Sequence, residues 1–329
     1  MLRPTADNTV YAVRYAYPNA RLRLALRIPA GRWTKFSLAR RRSIMRTDTK
    51  GFIFQCFLIV FLSAIVGGCA IPIKRVDSLS ILFPYQWVGN IDRANFNEPS
   101  GIVFHPQRGT LFVVGDEGDI CEIQKDGTLV KQKRVRHADF EGITCDPSTG
   151  LLYVAIEGEE KIIEIDPEDF RVLREFSIER TFQGAVVLKA GGSGIEAITF
   201  VPDSNHPEGG TFYVANQGFD LDDKEDPSAI FEVEVPLRSG SVGDTIAKII
   251  RYFSIRVIDL SGLHYDRVSD RLYVISDATN TFFEITRTGK VLRSYAFPGD
   301  NQEGITVDDE GFLYIAQDSG GIIKVRWNR

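Results

Sequence analysis

Cysteine and histidine are scarce in this chain, four of each among 329 residues. None of His105, His137, His206 and His264 stands at a His-x-x-x-His or Cys/His metal spacing, so a zinc site is not expected. Cys56 and Cys69 fall near the amino end, which leaves only Cys121 and Cys145 for a folded domain. Those two fall on different repeats, so a disulfide between them is possible but not suggested, and buried free thiols are the expectation. No Gly-x-Ser-x-Gly elbow is present, and Gly191-Gly192-Ser193-Gly194 does not have its spacing. No Walker loop is present either. No sequence motif thus points to serine-hydrolase or P-loop chemistry.

Basic charge is in excess only at the amino end. Residues 1–50 carry 12 Lys+Arg against 2 Asp+Glu, whereas the rest carries 27 against 42. Residues 1–44 are read as a non-native or disordered basic extension, and no nucleic-acid partner is expected. Met45 is the one Met after Met1, and it opens a short basic stretch through Lys50. An apolar run from Phe52 to Val66 comes next and ends in Gly67-Gly68-Cys69. Residues 45–69 thus have the form of a signal peptide. The Cys after two glycines resembles a bacterial lipobox, which implies cleavage before Cys69 and lipid on its sulfur. An uncleaved spanning helix is the alternative, since the low-charge run from Gly51 to Ile73 is long enough to cross. Either way, the chain beyond the 70–80 linker is expected to face the periplasm from a bacterial envelope membrane. Ala70 after the Cys favours the outer membrane if the chain is lipidated.

Residues 81–329 repeat themselves. Ser100-Gly101-Ile102, Glu141-Gly142-Ile143, Glu196-Ala197-Ile198, Ser261-Gly262-Leu263 and Glu303-Gly304-Ile305 echo one another at intervals of 41, 55, 65 and 42 residues. Behind each echo come a turn and an aromatic strand centred on Phe112, Tyr153, Tyr213, Tyr273 or Tyr314. Repeats of about 40 residues or more, with strands in each, predict an all-β propeller. Third strands are expected at Ile120–Ile123, Lys161–Ile165, Ile230–Val233, Thr281–Ile285 and Ile322–Val325. Fourth strands are expected at Thr128–Val130, Val172–Phe176, Ile255–Ile258 and Val291–Tyr295. Five four-stranded blades result, with six as the alternative because the interval of 65 could hide another. The last unit has no fourth strand of its own. Phe83–Ile91 is predicted to complete it and to close the ring, which removes the open sheet edge.

The residue ahead of each small residue starts the innermost strand: Ser100, Glu141, Glu196, Ser261 and Glu303. Sixteen positions on, after the hairpin, stand Asp116, Glu157 and Asp277, with Asp318 and Gln217 as their counterparts in the other two units. Antiparallel pairing puts both columns on one face of the disc. Seven carboxylates then converge on one mouth: Glu141, Glu196, Glu303, Asp116, Glu157, Asp277 and Asp318. Like charges so close oppose folding unless neutralised. Calcium, which takes six to eight oxygen ligands, is the expected cation. His137 and Asp139 could join the mouth, while the Asp220–Asp226 loop reads as solvated.

Asp259-Leu260-Ser261-Gly262-Leu263-His264-Tyr265, Ile275-Ser276-Asp277, Gln302-Glu303-Gly304-Ile305 and Phe140-Glu141-Gly142-Ile143 resemble the SdiA-regulated propeller proteins of bacterial envelopes. The resemblance covers roughly residues 80–327 and implies a membrane-associated propeller facing the periplasm, linked to calcium in part of the family. The chain is expected to sense ions, bind a small-molecule or protein partner, or act as a scaffold. A calcium-dependent phosphohydrolase of the phytase type is the alternative. That chemistry wants Lys or Arg at the same mouth, and neither column supplies one.

Overall fold

The computed structural model describes residues 82–239, 245–297 and 299–328. Contacts divide the chain into two units, Met1–Arg75 and Val76–Arg329, and the described residues all belong to the second. The extension 1–44, the 45–69 segment with Cys69, and the 70–80 linker lie outside the described residues.

Every regular element among the described residues is a strand. The chain first lays down β1 (Tyr85–Asn90). A meander then runs through β2 (Pro99–His105), β3 (Thr110–Gly115), β4 (Asp119–Ile123) and β5 (Leu129–Arg134). The next holds β6 (Phe140–Cys145), β7 (Leu152–Ile156), β8 (Lys161–Ile165) and β9 (Val172–Ile178). A small hairpin, β10 (Thr181–Phe182) and β11 (Ala185–Val186), precedes the third meander. That one comprises β12 (Ile195–Pro202), β13 (Gly210–Asn216), β14 (Ile230–Glu234) and β15 (Ile246–Phe253). The fourth is β16 (Leu260–Asp266), β17 (Arg271–Ser276), β18 (Thr281–Thr286) and β19 (Val291–Ala296). The last three strands are β20 (Gln302–Val307), β21 (Phe312–Gln317) and β22 (Ile322–Trp327).

β1 pairs antiparallel with β22, Tyr85 opposite Trp327, and so supplies the fourth strand of the last sheet. Innermost strands touch in the cyclic order β2, β6, β12, β16, β20 and back to β2. The disc is thus a closed propeller. Five apolar clusters make its core, each lying between successive meanders: Phe112 with Phe140 and Ile143, for example, or Tyr273 and Phe282 with Leu313 and Trp327. The aromatic column of the second strands is fully buried at Phe112, Tyr153, Tyr213, Tyr273 and Tyr314. Buried tyrosine hydroxyls need partners. Tyr273 donates to Asp266 at 2.7 Å, Tyr314 to Asp308 at 2.9 Å and Tyr153 to Glu164 at 3.1 Å.

One strand departs from the sequence expectation. Ile255–Ile258 is not a strand, and the outer strand of the third meander is β15, further upstream. Positive φ at Arg256 (60°) and Asp259 (57°) breaks extended backbone there. β15 also pairs in parallel with β9, Ile246 opposite Ser177, so these two meanders join into one eight-stranded sheet.

The glycines of the repeated pair allow the inner strands to meet. A Cβ on Gly142 would lie 2.7 Å from the Ile198 nitrogen, and one on Gly304 would lie 2.8 Å from the Ile102 nitrogen. Backbone approaches backbone at these points, where only glycine fits.

Candidate functional site

Each inner strand carries a register break at the start of its pairing. The shifts fall between Pro99 and Gly101, Phe140 and Ile143, Ile195 and Ala197, Leu260 and Gly262, and Gln302 and Gly304. The residue inside each break is Ser100, Glu141 (with Gly142), Glu196, Ser261 or Glu303. A β-bulge bends its strand and re-aims the extra side chain. The fold therefore repeats one device five times at the rim, and three of its products are glutamates.

The exit residues of the second strands come alongside through backbone bonds. Glu157 N–H donates to Asp139 O at 3.0 Å, Gln217 N–H to Gly194 O at 3.1 Å and Asp318 N–H to Asn301 O at 3.0 Å. In the first meander the Ser100 hydroxyl donates directly to the Asp116 carboxylate.

A cavity of about 250 Å³ results on the axis, lined by Ser100, Asp116, Asp139, Glu141, Glu157, Glu196, Gln217, Glu303 and Asp318. No Lys or Arg is among these lining residues. Beneath it the axis narrows to about 10 Å³ between Gly101, Gly142, Ala197, Gly262 and Gly304 with their apolar neighbours. Six of the seven carboxylates expected from the sequence share the upper cavity. Asp277 does not line it. Its Oδ1 accepts the Gln302 N–H at 2.9 Å, tying the fourth meander to the fifth. Burial raises the Asp277 carboxyl and that N–H restrains the rise.

Sequence reasoning underrates one acid and misses another. Asp139 lines the cavity, and its Oδ1 is buried without a hydrogen-bond partner. Asp259 is buried and accepts the Ala278 N–H at 2.7 Å. Both stand two residues ahead of a bulge residue, and a column read at that offset (Glu98, Asp139, Gly194, Asp259, Asn301) reveals them. The long Asp220–Asp226 loop stays largely exposed, but Asp226 is buried, accepting the Ser193 N–H at 2.8 Å. His264 packs against Tyr273, ring centroids 5.9 Å apart. Cys121 and Cys145 are buried free thiols.

Electrostatics in the cavity run one way. Burial, then the charges of Glu196, Asp116, Asp139 and Glu303, hold the Glu141 carboxyl well above the usual range. Glu196 is raised by burial and by Glu157, Glu303 and Asp259, and Glu303 by burial and by Asp277, Asp259 and Asp318. Burial pushes Glu157 up to about 7, with Asp139 adding to it. Asp116 is pushed up to about 6 by burial, against the opposing hydroxyl of Ser100. Asp259 also rises to about 6 through burial.

The repeated motifs that carry these glycines and rim acids are the features by which the sequence resembles one family, and the family model described as SdiA-regulated matches residues 90–319. The chain belongs to the SdiA-regulated family. No curated protein sequence matches it. Among solved structures, this SdiA-regulated chain is similar to the Myxococcus xanthus glutaminyl cyclase at 14% identity and a TM-score of 0.52, covering 75% of this chain and 97% of that one. It also aligns with the β-propeller domain of Myceliophteria thermophila Cps50 (Swd1), at 11% identity and TM-score 0.38 over 70% of this chain and 64% of that one. Kuenenia stuttgartiensis hydrazine synthase aligns at 16% identity and TM-score 0.39, over 69% and 58%. At such identities the likeness concerns the fold.

Proposed function

We propose that this SdiA-regulated propeller binds Ca²⁺ in its axial cavity and serves as a non-enzymatic ion sensor or ligand-binding scaffold of the bacterial envelope. The carrying observation is the lining: seven of nine residues are carboxylates and none is a base. Hard oxygen donors in that number suit calcium. The unpartnered buried Oδ1 of Asp139 is an acceptor that a cation would satisfy. Bound there, calcium would supply the positive charge that the protein does not. Asp116, Asp139, Glu141, Glu157, Glu196, Glu303 and Asp318 are the residues to hold it, with Ser100 orienting Asp116. A phosphohydrolase reading finds no Lys or Arg on this lining to grip a phosphate.

Thermal melting tests the reading. A ligand bound only by the folded state stabilises it by about 2.7 kcal/mol at a hundredfold excess over its Kd. For a domain of this size that lifts Tm by about 5–10 °C. A Tm indifferent to millimolar calcium overturns the proposal.

The tether is proposed from Cys69 and the apolar run before it. Cys69→Ser is expected to move the protein from the membrane fraction to the soluble one. Unchanged retention of that variant overturns lipidation and favours the spanning helix.

A further inference from the structure

Two groups of carboxylate oxygens, not one, gather in the cavity. Asp116, Asp139 and Glu141 bring one set within 4.8 Å of one another, and Glu141, Glu157 and Glu196 bring a second. Ca²⁺ holds oxygens at about 2.3–2.6 Å, so ligands of one ion lie up to about 5 Å apart. Each set has the spread that a shared ion imposes. Glu141 belongs to both, and a carboxylate has two oxygens to divide between neighbours.

The first set also contains an unsatisfied acceptor, Asp139, whose buried Oδ1 has no partner. In the second set Glu196 is 4% exposed, lines the cavity and is hydrogen-bonded to the Glu141 side chain. These two residues are not members of a common group. Charge leads the same way. One divalent ion cancels two of the seven lining carboxylates, and two ions cancel four. The volume of about 250 Å³ accommodates both with their waters, since a water occupies about 30 Å³ of liquid.

We propose that the axial cavity is a binuclear calcium site, with Glu141 bridging one ion held by Asp116 and Asp139 and another held by Glu157 and Glu196. The proposal rests on the calcium reading above and adds its stoichiometry and its bridge. Two-metal sites place their ions about 3.5–4 Å apart, a separation that one bridging carboxylate spans. A shared ligand makes the two ions interdependent, because loss of the bridge removes an oxygen from each.

Calcium bound by the metal-free full chain in detergent, measured by equilibrium dialysis and elemental analysis, decides the matter. Two ions per chain are expected. Asp116→Asn and Glu157→Gln should each retain one, and Glu141→Gln should weaken both at least tenfold. All three variants remove a negative charge from a crowded site, so their metal-free melts should match or exceed that of the parent, which certifies the fold. One ion per parent chain overturns the binuclear site and leaves calcium binding intact, as does a Glu141→Gln chain that loses a single ion. No bound calcium at all overturns both.

Discussion

At the scale of the residue, burial and mutual repulsion hold the rim acids above their usual range. Without metal, Asp116 and Asp259 hold protons to about 6 and Glu157 to about 7, against ordinary values of 3.8 and 4.5. The folded chain therefore binds more protons than the unfolded one between about pH 4 and 7, and its stability falls as pH rises through that window. Glu141, Glu196 and Glu303 act in the same direction. Carboxylates held below their usual range, Glu122, Asp126, Glu159 and Glu208, lose their contribution only under about pH 4.5, at the acid end of the window. The metal-free protein is expected to melt higher at pH 5 than at pH 8, and calcium is expected to lift Tm more at pH 8 than at pH 5. A metal-free Tm that climbs from pH 5 to pH 8 contradicts the first statement, and a calcium-induced rise that is no larger at pH 8 contradicts the second. Most of these acids were legible in the sequence, because repetition aligned them. Asp277 was aligned with them too. Its backbone acceptor role depends on where the Gln302 N–H points, and no pattern of residue types records that.

At the scale of the element, the inner strand combines a bulge with a glycine. The bulge aims the acid and the glycine lets the neighbouring strand close in. Adding a methyl at Gly142 would press on the Ile198 nitrogen at 2.7 Å and the Ala197 backbone at 3.0 Å. Both are main chain and cannot rotate away. Gly142→Ala is expected to cost about 1–3 kcal/mol, as overpacking does. It should also weaken calcium binding, because the same push displaces Glu141. Denaturant melts of the metal-free variant check this, and an unchanged midpoint would refute the close-contact account. The strands themselves were legible through their aromatic columns. The bulges were not: an extra residue in one strand leaves no mark on a sequence until the partner register is known. The outer strand of the third meander was misplaced for a related reason. Ile255 and Val257 alternate like a strand, but the left-handed backbone at Arg256 removes them from any sheet.

At the scale of the whole molecule, the propeller is a ring of five packed interfaces, with the acids gathered at one end of its axis. Closure was legible because the last repeat was a strand short and the first had a strand to spare. The parallel join between β15 and β9 was not, since it depends on how far two outer strands twist towards each other. The sealing pair has a further consequence. Tyr85 meets Trp327, 242 residues later in the chain. During translation β1 leaves the ribosome before any other strand of the disc and must wait for the final one. A product that stops before β22 leaves β1 without its partner and a sheet edge open. Such truncated products are expected to be cut by proteases faster than the closed disc.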